Sequence, residues 1–173
     1  TMSPLFARHA GPLAIAAGTL LLVGQLVWWP FDQRQNLATA RDPVFQAGSI
    51  INLAGFCALM FALIAAHGWQ ARTAGRLGVS GVSVAIVGTM LLGGDLWFES
   101  FAVPWLADGP APELLTSQPS TLLALGAVTS YLLFAAGWVL FGIASLRARV
   151  FPVAISLSIV VGGIAGFSAL LAP

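Results

Sequence analysis

Five long apolar runs dominate this chain of 173 residues. Each is close to the roughly 20 residues that an α-helix needs to cross a bilayer. Because backbone groups in hydrocarbon must be hydrogen-bonded within their own segment, we predict that each run is a helix. The sequence therefore predicts an all-α, polytopic membrane protein, with one domain over residues 1–173 and about five transmembrane helices. The runs cover residues 11–30, 45–67, 77–101, 121–145 and 150–172.

Charged residues are too scarce for a soluble domain. They make up 8% of the chain, whereas a soluble domain carries roughly 25%. The net charge is only +1. Binding to nucleic-acid phosphates requires clustered positive charge, so we expect no nucleic-acid partner. All the basic residues are arginine, and the chain is rich in alanine and glycine. This composition is typical of high-GC bacteria, and we expect a multi-pass protein of the bacterial inner membrane, in contact with its lipids.

The placement of arginine predicts the orientation in the membrane. Five arginines precede the first run or lie in the links after the second and fourth runs, and these segments contain no Asp or Glu. By the positive-inside rule, the amino terminus is predicted to be cytoplasmic and the carboxyl terminus to lie outside. These residues are Arg8, Arg72, Arg76, Arg147 and Arg149.

Two carboxylic acids, Asp95 and Glu99, lie near the end of the third run. They are four residues apart, so both face the same side of a helix. Asp95 lies about 27 Å along the helix from Leu77 at 1.5 Å per residue, which is the outer part of the bilayer. Ionisable residues inside a membrane are costly and mark functional sites. We therefore predict that Asp95 and Glu99 are catalytic.

Other runs carry polar and aromatic residues at a similar depth. Because polar groups facing lipid are costly, we expect them to converge on a pocket that opens to the outside and binds a lipophilic small molecule. Metal-ligand and hydrolase motifs are absent from the sequence, and no metal or cofactor is expected. The predicted substrate-binding residues are Gln25, Trp28, Trp29, Asp32, Gln46, Ser49, Asn52, Trp97 and Tyr131.

The same residues also have a purely structural interpretation. Asp95 and Glu99 could mark the interfacial end of the helix, or Asp95 could form a salt bridge with Arg34 or Arg41. The polar residues of the second run could be hydrogen-bonded to neighbouring helices, and the tryptophans could be interfacial anchors. The two interpretations differ in whether the carboxyl groups lie beside a cavity.

A carboxylic acid in a low-dielectric pocket keeps its proton more readily and can protonate an alkene or epoxide. Aromatic faces can stabilise the resulting cation. With Asp95 as the acid and Glu99 as its proton relay, the plan resembles the membrane-embedded terpene cyclases, which are small helical bundles. That resemblance implies acid-initiated cyclisation or isomerisation of an isoprenoid. The alternative is a non-catalytic protein that binds a ligand, assists transport or serves as an accessory subunit.

Gly162 and Gly166 form a GxxxG pair in the fifth run. Small residues at this spacing let two helices approach closely in lipid. The pair predicts either packing within the bundle or a homo-oligomer contact through the fifth helix.

Overall fold

The computed structural model describes residues 8–31, 37–109, 111–117 and 119–168. Of these residues, 88% are helical and none is in a strand, which confirms the all-α prediction. Four helical segments of the described chain are long and apolar enough to cross a membrane, which indicates a membrane protein. They are α1 (Ala10–Trp28), α3 (Pro43–Gln70), the segment Gly75–Asp108 and α6 (Thr121–Ala148).

The fifth predicted run contains a shorter helix, α7 (Val153–Ser168), of 16 residues. At 1.5 Å per residue α7 is about 24 Å long, which is less than the roughly 30 Å thickness of a hydrocarbon core. The last residues of the predicted run, 169–172, lie outside the described residues. The described chain therefore has four apolar helical segments long enough to span a membrane, and α7 is a shorter fifth apolar helix.

Helix α3 begins at an N-cap that the hydropathy pattern does not reveal. The Asp42 carboxylate accepts hydrogen bonds from the backbone N–H groups of Val44, at 2.8 Å, and Phe45, at 3.4 Å. Pro43 occupies the first helical position, where its missing N–H costs nothing. The helix therefore starts two residues before the predicted boundary at 45.

The third predicted run continues beyond its expected end at 101. Helix α4 (Gly75–Trp97) passes through a π-helical turn (Phe98–Ala102) into α5 (Val103–Asp108). In the π turn, the N–H of Val103 donates to the carbonyl of Phe98, five residues back. The wider turn comes just before Pro104, which has no N–H and would crowd an ordinary helical turn. The proline is therefore accommodated, and the helix continues to Asp108.

Neighbouring long helices pack together, with α1 on α3, α3 on α4, α4 on α6 and α6 on α7. The packed centre is apolar. The indole Nε1 of Trp138 donates to the Thr89 hydroxyl at 3.1 Å, so this polar pair is satisfied inside the core. The buried apolar residues of the centre are Leu63, Val82, Ala85, Trp138 and Phe141.

The alternating helix directions give the bundle two different ends. One end, which we call the basic end, carries the arginines before α1, in the α3–α4 link and the first turn of α4, and in the last turn of α6 and just after it. The other, the loop end, carries α2 (Leu37–Arg41), α5 and a 3-10 helix (Pro112–Leu115). Here Arg41 bonds to the Asp108 carboxylate at 3.0 Å and to the Ala107 carbonyl at 2.6 Å. These bonds join the two connections of the loop end.

Candidate functional site

The structure brings the two predicted catalytic carboxyl groups together near the loop end. Asp95 lies in the last turn of α4, and Glu99 lies in the π turn. The two carboxyl groups are within electrostatic range of each other. The Glu99 side chain is half-buried, and its Oε2 atom has neither solvent contact nor a hydrogen-bond partner.

Asp95 lies in the wall of a cleft of about 420 Å³ between α4 and α6. That volume is within the range of small-molecule sites. The Asp95 side chain itself is exposed, and it makes no hydrogen bond or ion pair with any described residue. The cleft therefore has one carboxylate that is free to interact with a ligand. Its lining residues are Leu91, Asp95, Ser120, Leu122, Leu123, Gly126, Ala127 and Ser130.

Helices α4 and α6 are in close contact near the centre of the bundle, and the cleft lies nearer the loop end. Nearer the centre, Gly88 lies against the backbone of Phe134, and Gly137 lies against the backbone of Ala85. Further towards the loop end, a Cβ atom built on Gly126 would meet no other atom within 4 Å. Every residue of α6 from 121 to 129 is exposed.

Tyr131 is the predicted binding residue that joins the carboxyl pair. It is half-buried on α6, and its hydroxyl group is within electrostatic range of both Asp95 and Glu99. Trp97 is different, since its side chain is 56% exposed and its ring lies 5.8 Å from that of Phe101. The structure thus groups Tyr131, and not Trp97, with the two acids.

Other predicted binding residues lie between α1 and α3. The Trp28 ring stacks on Phe45 with centroids 5.4 Å apart, and its Nε1 donates to the Phe45 carbonyl at 3.3 Å. The Ser49 hydroxyl donates to the same carbonyl at 3.1 Å. Trp28 and Ser49 therefore contribute to packing of this helix pair and do not line the cleft.

Asn52 and Gln46 also lie outside the lining of the cleft. Asn52 is 1% exposed and packs against Gly24 of α1, and neither polar atom of its side-chain amide has a partner. Gln46 donates from Nε2 to the carbonyl of Ala40 at 3.3 Å, so it ties α3 to α2.

The remaining predicted residues are exposed or lie outside the described residues. Gln25 is exposed, and Trp29 is 84% exposed at the end of α1. Asp32 lies outside the described residues. The alternative salt bridge to Asp95 is not formed by Arg41, whose partner is Asp108, and Arg34 also lies outside the described residues.

Seven of the eight cleft residues were missed by the sequence-based prediction. Five are apolar or glycine, and only contact between α4 and α6 distinguishes them from other apolar residues. Ser130 could have been predicted from the sequence, because it is a polar residue that directly precedes Tyr131 and lies at the same depth. The missed residues are Leu91, Ser120, Leu122, Leu123, Gly126, Ala127 and Ser130.

The GxxxG pair does not form one continuous free surface. A Cβ atom on Gly166 would lie 2.8 Å from the Phe134 ring, so this glycine packs against α6. A Cβ atom built on Gly162 would have no neighbouring helix or side chain within 4 Å. One member of the pair is thus used inside the bundle, and the other is open.

In the part of the chain that the structure describes, no three His, Cys, Asp or Glu residues are grouped so that they could hold a metal ion. The helices define a multi-span helical membrane protein. No protein-family model matches the chain, and no curated protein or solved structure is significantly similar to it. The cleft and its carboxyl groups are consequently the features of the molecule that bear on its function.

Proposed function

We propose that this protein is an integral membrane enzyme that isomerises or cyclises a lipophilic substrate carrying an alkene or epoxide. The observation that carries the proposal is the unpaired Asp95 carboxyl group in the wall of the cleft, with Glu99 within electrostatic range of it. A cleft with mostly apolar walls and a few polar groups suits a substrate that dissolves in lipid.

In the proposed isomerisation, the Asp95 carboxyl group donates its proton to one carbon of the alkene. A C–H bond forms, and the neighbouring carbon becomes cationic. The Asp95 carboxylate then removes a proton from the next carbon, which moves the double bond and regenerates the acid. Two adjacent carboxylates repel each other, so Asp95 and Glu99 would together retain one proton. Sharing that proton with Glu99 would return Asp95 to its acid form. Tyr131 is the candidate ring for stabilising the cation.

We further propose that the cleft lies in the outer leaflet of a bacterial plasma membrane. Five arginines and no acids occur at the basic end of the described chain, and the positive-inside rule assigns such an end to the cytoplasm. The loop end would then lie outside, and substrate would enter the cleft sideways from lipid.

A second candidate function, ligand binding without chemistry, has its own supporting observation. The Asp95 side chain is exposed, and among the described arginines the one at the loop end, Arg41, is already bonded to Asp108. A cationic headgroup could therefore supply the missing positive charge for Asp95 and Glu99.

The test compares lipid extracts from membranes that contain the native protein, Asp95→Asn, Glu99→Gln or Glu113→Gln. Glu113 is the matched control, because it is an exposed acid in the 3-10 helix, away from the cleft. We expect a lipophilic product with the native protein and Glu113→Gln, and about 100-fold less with Asp95→Asn, since a general acid contributes at least this factor.

Folding of each variant is checked by size-exclusion chromatography in detergent. Unchanged product from well-folded Asp95→Asn would rule out Asp95 as the acid. A lipid profile that is the same with and without the native protein would favour the binding function.

A further inference from the structure

Gly126 is the one glycine in the lining of the cleft. Several other glycines of α4 and α6 have an evident packing role, since Gly88 and Gly137 lie directly against the backbone of the opposite helix. Gly126 contacts no neighbouring helix. Its lack of a side chain therefore leaves space in the cleft and does not serve helix packing.

The walls beside Gly126 indicate what the cleft accepts. Leu91, Leu122 and Leu123 make them largely apolar. The two serine hydroxyl groups are engaged with the backbone, because Ser120 accepts from the Leu123 N–H at 3.2 Å and Ser130 donates to the Gly126 carbonyl at 2.8 Å. Asp95 remains as the polar side chain of the lining that makes no hydrogen bond with a described residue, and a carboxyl oxygen accepts hydrogen bonds whether or not the group is protonated.

We propose that the cleft holds one lipophilic chain of a membrane amphiphile, with a hydroxyl or amine head bonded to Asp95, and that Gly126 determines how wide this chain can be. The proposal deepens the proposed function, since it concerns the same site. A side chain at position 126 would project into the cleft and exclude wide substrates before narrow ones. Membrane lipid is the source of the ligand, because the cleft lies along a membrane-spanning segment.

The experiment uses the full chain in phosphatidylcholine vesicles with two diazirine-bearing probes, a linear C16 alcohol and a sterol. After illumination, mass spectrometry identifies the labelled peptides. The variant is Gly126→Leu. The matched control is Gly162→Leu, because Gly162 is also an exposed helical glycine with no atom within 4 Å of its Cβ position.

In the native protein, we expect both probes to label residues 91–95 and 122–130. Overpacking typically costs enough free energy to lower binding about tenfold. Labelling of Gly126→Leu by the sterol should therefore be about tenfold lower than that of the native protein, while labelling by the linear alcohol should be unchanged. Gly162→Leu should match the native protein with both probes. Equal sterol labelling of Gly126→Leu and the native protein would overturn the proposal. It would also be overturned if, in the native protein, the probes labelled the cleft no more strongly than α7.

A third probe, the methyl ether of the linear alcohol, tests the head. It lacks the donor, and we expect up to about tenfold less labelling, since one hydrogen bond contributes up to about this much. Equal labelling by ether and alcohol would refute the bond to Asp95. Failure of the proposed chemistry can be distinguished from failure of this binding proposal. If only the chemistry failed, the lipid profile would be the same with and without the protein, while sterol labelling would still depend on the residue at position 126.

Discussion

The α4–α6 interface is most sensitive to added volume where glycine meets backbone. A Cβ atom at Gly81 would lie 2.8 Å from the Phe141 nitrogen, about 0.6 Å less than an ordinary contact of 3.4 Å. Backbone cannot rotate away, so in Gly81→Ala the helices must separate. A separation of about 0.5–1 Å already removes roughly a quarter to a half of the dispersion energy of each contact. We expect overpacking of about 1–3 kcal/mol, partly offset by about 1 kcal/mol of helix propensity.

The free energy of unfolding should therefore fall by about 0–2 kcal/mol in Gly81→Ala. It can be measured by titrating the protein from dodecylmaltoside into sodium dodecyl sulphate and following tryptophan fluorescence. Gly162→Ala is the control, because its Cβ would meet nothing within 4 Å, and it should be as stable as the native protein or more so. If Gly81→Ala proved as stable as Gly162→Ala, the close approach of α4 and α6 would be refuted.

Two further predictions use the same assay. Thr89→Val leaves the buried Trp138 Nε1–H without its acceptor, and should cost about 1–3 kcal/mol. Thr89→Ser keeps the oxygen and should cost less, so equal losses would contradict this role of the hydroxyl. Arg41→Gln removes an exposed ion pair with Asp108, whose side chains are 51% and 73% exposed, and should cost no more than about 1 kcal/mol. A much larger loss would show that this pair holds the loop end together.

The helices could be predicted more completely than their ends. Hydropathy located all four long helices, because an apolar run of this length has few alternatives to a helix in lipid. It missed the start of α3, which Asp42 and Pro43 determine through capping. It also ended the third run too early, since it gave no sign that a π turn would accommodate Pro104.

The carboxyl pair was predictable because helical spacing alone places Asp95 and Glu99 on one face. The predicted convergence of all the polar residues was not found. Tyr131 joins the acids, whereas Ser49 and Asn52 pack between α1 and α3. Equal depth in a membrane does not specify which neighbouring helix a side chain meets.

The sequence by itself determined that this chain is helical and suited to lipid, because apolar segments without water must satisfy their own backbone hydrogen bonds. Only the tertiary structure decided that there is a cleft, and where it lies. Gly88 and Gly126 are both glycines inside apolar helices, yet one meets the backbone of a neighbour and the other meets open space. That difference arises from how α4 and α6 pack against each other, which depends on contacts distributed along both helices.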